Sequence, residues 1–283
     1  MLMVCASILI LAIVAIFFFV SSKGLATFIV NGISPVEFFT ESRWLPDRPA
    51  AEGGPVIGIL PFVVGSVCVC SLAVLISSVF SVGAAVFMAE ISPVFGQRIL
   101  RGAMELFVGI PSVVYGWTGL SILVPFIRNH LGGLGFSWLA GSLVLSVMIL
   151  PTITSVSLDA LRSLPTDLKE ASLALGATRW QTIRYALLPA ARPGIATAIV
   201  LGLARAFGEA LAVQMVVGNK KVIPHSVLDQ TITLTSGITM EMGHSIMGSL
   251  WNNALWSMAL VLMLISLLFI VIINKLSKGS AYR

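Results

Sequence analysis

The sequence predicts an all-α protein that crosses a lipid bilayer six times. Of its 283 residues, 57% are hydrophobic and only 10% are charged, and the mean hydropathy is +1.01. A water-soluble domain has about a quarter of its residues charged, so this composition is typical of a polytopic membrane protein. A spanning helix needs roughly 20 mostly apolar residues, and six segments of the chain meet that requirement.

The six predicted spans cover residues 2–21, 58–82, 102–126, 138–157, 194–217 and 251–273. Residues 83–90 continue the second apolar run, either as more helix or as a turn at the membrane surface. The first span has no basic leader and no clear small-residue cleavage site, which favours a retained helix over a signal peptide. Because the chain opens directly into a span, we also expect that a short basic leader precedes it in the natural protein.

Basic residues in the loops predict that both termini lie in the cytoplasm. With that orientation the inside carries Arg98, Arg101, Arg162, Lys169, Arg179, Arg184, Arg192, Lys275, Lys278 and Arg283. The outside carries Lys23, Arg43, Arg48, Arg128, Lys220 and Lys221. The chain is then one transmembrane domain, 1–283, with outside segments at about 22–57 and 218–250 and a cytoplasmic loop at about 159–193.

The two outside segments carry weaker signals. Ser34, Pro35 and Glu37 have the spacing of a short helix that begins with a capping box. The stretch that follows, WLPDRPAAEGGP, is typical of a loop. In the second segment TITLTS fits either a strand or a short helix, and His225 and His244 favour a solvated loop over a metal pair.

The remaining composition argues against two other kinds of site. The net charge of +5 is not gathered into a Lys/Arg run with interleaved aromatics, so nucleic-acid binding is not expected. Cys5, Cys68 and Cys70 lie in apolar stretches without further metal ligands nearby. We therefore expect small buried hydrophobes at these positions rather than a metal site.

The cytoplasmic loop is the most informative segment, and it reads DALRSLPTDLKEASLALGATRWQTIRYALLPAARPG. Asp167 marks the start of a helix on which Leu168, Ala171 and Leu175 form one apolar stripe, and Gly176 is a natural helix stop. By periodicity alone the loop is equally compatible with an amphipathic hairpin that lies on the bilayer.

A second helix is predicted directly after the first. Thr178 can cap it, Trp180, Ile183 and Leu187 fall on one face, and Pro189 is expected to end it. Two short helices joined by a glycine turn would thus follow the fourth span.

The same loop resembles the EAA loop of ABC importer permeases. That pattern is EAA, three residues, Gly, nine residues, Ile, one residue, Leu-Pro, and it is matched in register by Glu170, Ala171, Gly176, Leu188 and Pro189. Ser172 and Ala186 depart from it mildly. The resemblance implies a type I ABC importer permease fold, with ATPase coupling through Asp167, Glu170, Ala171, Gly176, Leu188 and Pro189.

The resemblance also implies which partners supply energy. The chain has no G-x-x-x-x-G-K-[ST] sequence, so it cannot cradle ATP phosphates by the usual loop. ATP and Mg²⁺ are then expected on a partner ATPase, with no cofactor, metal or catalytic residue in this chain. Small side chains at Ala171 and Gly176 would let that ATPase approach closely.

Further segments resemble the phosphate importer permeases. They are GIPSVVYGWTGL at 109–120, ARAFGEALAVQMVVGN at 204–219 and TLTSGITMEMG at 233–243. GILPFVVGS at 58–66, which follows a long first outside segment with WLP, resembles the PstC-type rather than the PstA-type subunit.

That resemblance implies a phosphate importer in a bacterial or archaeal plasma membrane, with one PstA-type permease, two PstB-type ATPases and a PstS-type binding protein as partners. Its mechanism would be alternating access. The alternatives are a permease for molybdate or sulfate, an ion-gradient transporter or channel, and a structural membrane scaffold.

Small residues recur at helical spacing in two spans. They are Gly109, Ser112, Gly116 and Gly119 in the third, and Gly194, Ala198, Gly202 and Ala206 in the fifth. Such stripes let membrane helices pack closely. Pro111 is expected to bend the third span, either to shape a pathway or to fit a crowded bundle.

Charges inside the spans are the candidates for the substrate pathway. Arg205 and Glu209 lie four residues apart, on one face if the helix is continuous, and Glu105 lies in the third span. A charge near the bilayer centre costs about 3 kcal/mol or more, so these side chains should avoid lipid and find partners.

Two interpretations of Arg205 remain open beside a lipid-facing position. One is a salt bridge to Glu209 or Glu105, and the other is contact with a passing anion. Both can hold, because a guanidinium binds a carboxylate or a phosphate through the same planar fork.

Overall fold

A computed structural model describes residues 2–280, and Arg283 lies outside it. Within this range the regular elements are helices, one two-residue antiparallel ladder and an isolated bridge between Gly218 and Thr231, joined by loops. The helices are α1 Leu2–Ile29, α2 Pro35–Thr40, α3 Leu60–Val86, α4 Pro93–Gly109, α5 Ser112–Thr118, α6 Val124–His130, α7 Trp138–Arg162, α8 Thr166–Ala174, α9 Arg179–Gln181, α10 Leu188–Gly208, α11 Leu211–Val216, α12 Leu234–Glu241 and α13 Leu250–Ser280. The strands are β1 Trp44–Leu45 and β2 Val56–Ile57, and π-helical turns occupy Phe87–Ile91, Gly119–Leu123 and Thr182–Leu187.

The predicted six crossings correspond to five straight spans and one broken span. The straight ones are Ala6–Ile29, Leu60–Ile91, Trp138–Arg162, Arg179–Gly208 and Leu250–Lys275. The broken one joins Arg98–Gly109 to Ser112–His130 across a bend of 95°. The all-α prediction with six spans is thereby confirmed, and residues 83–90 extend the second helix rather than forming a turn.

The predicted bounds of the fifth span, 194–217, are wrong at both edges. The helix is already continuous from Arg179 and ends at Gly208. Pro189 does not end it, because the π-helical turn before it widens the backbone. The N–H of Leu188 bonds to Ile183, five residues back, so the proline ring enters a turn that already departs from α-helical bonding.

Helices α3, α7 and α10 form the centre of the bundle. Their shared core contains Val69, Ala73, Leu145, Ile149, Ile153, Ala198 and Ala206. Glycine permits the close approach of α10 to α7, since a Cβ at Gly202 would lie 2.5 Å from Cγ1 of Ile153. Part of the predicted small-residue stripes therefore has a packing role, whereas a Cβ at Gly109 would meet nothing within 4 Å.

The first span packs beside the last at the edge of the bundle. The hydroxyl of Ser257 on α13 donates to the carbonyl of Gly24 on α1 at 2.5 Å, and it also bonds the Thr27 hydroxyl at 2.7 Å. A Cβ at Gly24 would lie 2.9 Å from Cβ of Leu260, so only glycine fits this contact. Most other side chains of α1 are exposed and apolar, as a lipid-facing helix requires.

The first outside segment is more ordered than a loop. Helix α2 begins at Pro35 as predicted, but the Ser34 side chain makes no capping bond, so the capping box is absent. The stretch predicted as loop contains the antiparallel pair β1–β2, in which Trp44 opposes Ile57. In the second outside segment TITLTS leads into helix α12, whose N-cap is Thr233.

Glu241 ties the outside segments together. Glu241 is buried, with 7% of the residue exposed. Its carboxylate accepts hydrogen bonds from Nε1 of Trp44 at 2.6 Å and from Nε1 of Trp251 at 2.9 Å. It also forms an ion pair with Lys221. One carboxylate thus connects β1, α12, α13 and the loop that precedes α12.

We expect Glu241→Ala to lower the free energy of unfolding by about 2–4 kcal/mol, since each buried donor left without a partner costs roughly 1–3 kcal/mol. Denaturant titration of the detergent-solubilised protein measures the loss. Glu52→Ala, at an exposed glutamate of the same outer layer, is the control and should unfold like wild type. Equal midpoints for both variants would contradict a tying role for Glu241.

Candidate functional site

Arg205 lies in the last turn of α10, which ends at Gly208. Its Nη1 donates to Oγ1 of Thr152 on α7 at 3.0 Å, and its side chain is exposed in the single chain. The preceding charge on the helix is Arg192, about 20 Å away along the axis at 1.5 Å per residue. Residues 193–204 between the two arginines carry no charge, and the candidate span Arg179–Gly208 contains both arginines.

The salt bridge of Arg205 to Glu209 or Glu105, one of the two interpretations that the sequence left open, is not formed among the residues that the structure describes. No carboxylate in that part of the chain lies within 4 Å of Arg205. Glu209 is not one helical turn further along, because its backbone is extended with φ −77° and ψ 126°. The spacing argument fails because it assumed a helix that continues through residue 209.

Glu209 serves the break between α10 and α11 instead. Its Oε1 accepts the N–H of Ala212 at 3.2 Å, which satisfies one free donor at the start of α11. Its backbone carbonyl accepts Oγ1 of Thr235 on α12 at 2.8 Å. The glutamate therefore joins three short elements beside Arg205.

Glu105 lies on α4 and pairs with its own helix. Its Oε1 is 3.2 Å from Nε of Arg101, one turn back, and both side chains are largely exposed. The pair lines a cavity of about 370 Å³ whose other polar or charged residues are Thr154, Ser155, Asp159 and Arg162. Glu105 is thus at the edge of a polar opening between α4 and α7, apart from Arg205.

Pro111 marks the break in the third span, between Gly109 and Ser112, and the sequence correctly predicts it. The hydroxyl of Tyr115 donates to the carbonyl of Phe107 at 2.8 Å, which satisfies an acceptor at the end of α4. Beyond the bend, Gly116 lets α5 approach α11, since a Cβ there would lie 2.9 Å from Cα of Ala212. The bend has a packing role, and it also brings Tyr115 within electrostatic range of Arg205.

The coupling segment, residues 166–181, contains the predicted glycine stop. Gly176 has φ +82°, and two hydrogen bonds close the end of α8: Gly176 N–H to Leu173 at 2.9 Å and Ala177 N–H to Ser172 at 3.3 Å. This is a Schellman motif. Asp167 lies in the first turn of α8.

The predicted apolar stripe of α8 is only partly buried. Leu168 packs against the core between α3, α7 and α10, while Leu175 is 90% exposed. Glu170 and Ala171 are exposed as well. The α8 surface that matches the EAA pattern therefore faces away from the bundle.

The second predicted helix begins where expected. Thr178 and Gln181 form a capping box, with Thr178 N–H donating to Oε1 of Gln181 at 2.8 Å. Trp180 is 58% exposed although Ile183 and Leu187 are buried. The π-helical turn from Thr182 shifts the helical phase, so the three side chains do not share a face. Leu188 and Pro189 lie within the continued helix, at the start of α10.

Sequence reasoning missed several polar residues of these sites. Thr152 holds Arg205, Tyr115 caps the break in the third span, and Glu90 holds the coupling segment. Thr152 follows a proline in an apolar span, and Glu90 is a lone acid at the end of an apolar run. Both are recognisable as unusual, but their partners are far away in sequence.

Comparison with known proteins identifies the family. Residues 81–280 match the binding-protein-dependent transport system inner membrane component family. The chain belongs to this family, and it is a type I ABC importer permease: a multi-pass membrane subunit that works with a substrate-binding protein and an ATPase.

Two curated relatives are similar over most of the chain. A probable ABC transporter permease protein YqgH from Bacillus subtilis (strain 168) is 55% identical over 96% of this chain and 87% of its own length. The phosphate transport system permease protein PstC of Mesorhizobium japonicum is 33% identical over 94% and 85%. The chain is thus a PstC-like member of the family.

Solved structures agree on the fold. The inward-facing MetNI methionine ABC transporter has a TM-score of 0.56 at 22% identity, covering 75% of this chain and 93% of that one. An amino acid ABC transporter has a TM-score of 0.54 at 16% identity, with coverage of 77% and 92%.

We expect Gly176→Asn to separate the two roles of Gly176. Asparagine tolerates φ > 0, and an added Cβ meets no described atom within 4 Å, so the chain itself should keep its fold. If the ATPase needs close approach, the variant should assemble normally while stimulation of ATP hydrolysis by the loaded binding protein falls. ATPase assays on copurified complex give the measurement.

Gly32→Asn is the matched control, because Gly32 has φ +68° and open space on the opposite face. Gly176→Val adds a residue that φ > 0 disfavours strongly. Normal stimulation in Gly176→Asn together with loss in Gly176→Val would show that Gly176 is only a helix stop.

Proposed function

We propose that the protein is the PstC-type permease subunit of an ATP-driven importer of inorganic phosphate. The 33% identity to a PstC protein across 94% of the chain supports this cargo. The observation that carries the proposal is the state of Arg205, a guanidinium inside a span that faces a hydroxyl rather than a carboxylate.

The chemistry of this pair suits a tetrahedral oxyanion. A guanidinium donates two parallel hydrogen bonds to phosphate oxygens, and such charge-assisted bonds are stronger than neutral ones. Thr152 adds a hydroxyl 3.0 Å away that can donate to the same anion. A carboxylate partner would neutralise the arginine and weaken its attraction for an anion. None of the described carboxylates forms an ion pair with Arg205.

The proposed cycle is alternating access. A PstS-type protein delivers phosphate outside, this chain and a PstA-type permease enclose the pathway, and two PstB-type ATPases bind ATP with Mg²⁺. Closure of the ATPases on ATP would move the coupling segments and open the permease pair outward, and hydrolysis would reset it. Asp167, Glu170 and Ala171, with Gly176, would lie at the ATPase contact, which their exposure supports.

The proposal also covers the membrane in which the protein lies and the side on which its termini are found. We place the protein in a bacterial or archaeal plasma membrane with both termini in the cytoplasm. The basic residues of 159–193 then lie inside, and the layer held by Glu241 faces outside. Glu209, at the helix break after Arg205, and Glu105, in the polar cavity between α4 and α7, stay candidates for the pathway.

We expect Arg205→Gln to lower phosphate uptake at least about tenfold in vesicles that hold equal amounts of assembled complex. A hydrogen bond to a charged group is worth about 1.5–3 kcal/mol, and about 1.4 kcal/mol is tenfold. Arg205→Lys keeps the charge without the fork and should transport poorly rather than not at all. Arg192→Gln, at an exposed arginine on the same helix, is the control.

Phosphate uptake at the wild-type rate by Arg205→Gln would show that Arg205 does not contact the transported anion.

The cargo is tested separately by competition, with excess sulfate or molybdate added to labelled phosphate. Uptake of labelled sulfate or molybdate by the same vesicles, with no uptake of labelled phosphate, would overturn phosphate as the cargo and leave the importer class unchanged.

The orientation predicts which side reaches two exposed positions. With Cys5, Cys68 and Cys70 replaced by alanine, Leu175→Cys should react with an impermeant thiol reagent only from the cytoplasm. Asp47→Cys should react only from outside. Leu175 is 90% exposed, so a cysteine there is accessible to the reagent. Labelling of both from one side would contradict the six-span topology.

A further inference from the structure

The coupling helix α8 is held to the bundle mainly by polar contacts. None of its residues is fully buried, and Leu168 is the side chain that packs against the core. Apolar burial therefore contributes little to its position, since stabilisation scales with the apolar area removed from water. The contacts that fix this helix must include its hydrogen bonds and ion pairs.

One of those polar contacts joins the hydroxyls of Ser172 and Thr182 at 3.0 Å, and the others meet at Glu90. Its Oε2 is 2.6 Å from Nζ of Lys169 on α8, and its backbone carbonyl accepts Nη2 of Arg179 at 2.7 Å, at the start of α9. The Gly176 turn lies between the two basic residues. One residue thus holds both arms of the coupling segment.

Glu90 belongs to the helix bundle, whereas Lys169 and Arg179 belong to the coupling segment. It lies in the π-helical turn Phe87–Ile91, which continues the α3 span, and its side chain is only 14% exposed. The neighbouring Met88 is buried in the cluster that joins α3, α4, α7 and α10. The carbonyl of Glu90 is near the end of that helix, where intrahelical donors are lacking, so Arg179 supplies the missing partner.

We propose that Glu90 is a positioning residue that transmits displacement of the coupling segment to α3. An ATPase pulling on the exposed face of α8 would act on α3 through the Glu90–Lys169 ion pair. The Arg179 contact would keep the second arm in register, because it uses the backbone of the same residue. The inference rests on the importer class and does not depend on phosphate as the cargo.

The test compares amide hydrogen exchange in the assembled complex with and without a non-hydrolysable ATP analogue. In wild type, the nucleotide should change exchange in 166–178 and also in 87–91. In Glu90→Gln the change in 166–178 should remain, while the change in 87–91 should shrink at least about fivefold, the lower end of typical coupling between sites. The swap Glu90→Lys with Lys169→Glu should restore it.

Lys169→Met removes the same ion pair by changing its more exposed partner. It replaces Glu90→Gln in the test if the complex with Glu90→Gln fails to assemble. Glu41→Gln is the matched control, since Glu41 also pairs with a cation but on the outer face. An undiminished change in 87–91 in both variants, or a swap that assembles without restoring it, would overturn the proposal. Parallel phosphate uptake tests the cargo alone, and its absence in wild type would leave the exchange result standing.

Discussion

Every backbone polar group that enters the bilayer must be satisfied within the protein, and this requirement shapes the whole structure. The spans are helices for that reason, and each interruption is permitted only where a side chain or a neighbouring segment supplies the missing bond. Tyr115 serves the carbonyl of Phe107 at the first break. Thr235 and Glu209 serve the second. Thr233 caps the short helix that meets them.

The two helix breaks, whose backbone groups are hydrogen-bonded in this way, also give a charged side chain polar surroundings. Two interrupted helices pack against each other where Gly116 approaches Ala212, since a Cβ at Gly116 would lie 2.9 Å from Cα of Ala212. Arg205 lies beside this region with the hydroxyl of Thr152. A charge in hydrocarbon is costly, and the hydroxyl of Thr152 gives Arg205 a polar partner that its own helix does not supply.

At the end of the bundle that carries the coupling segment, the balance between burial and polar contacts is the opposite. The coupling segment exposes apolar side chains such as Leu175 and Trp180, and charges and caps fix its position instead of burial. π-Helical turns adjoin it on both sides, at Phe87–Ile91 and Thr182–Leu187. Such turns are often found at functional sites. Here they place Glu90 against Lys169 and let a proline enter a continuous helix.

The sequence by itself determined the fold class, the number of crossings, the bend at Pro111 and the glycine stop at Gly176. These follow from hydropathy over 20 residues and from local backbone chemistry, which neighbours in sequence decide. The family of the coupling loop followed in the same way, because its pattern is contiguous.

Only the tertiary structure decided the partners of the buried charges. Helical spacing predicted that Arg205 and Glu209 share a face, but the break at Glu209 depends on contacts from α12 that lie 26 residues further along. Glu90 and Lys169 are 79 residues apart, and Trp44 and Glu241 are 197 apart. No local pattern encodes such pairs, because their geometry is fixed by how the spans pack and not by the backbone around either residue.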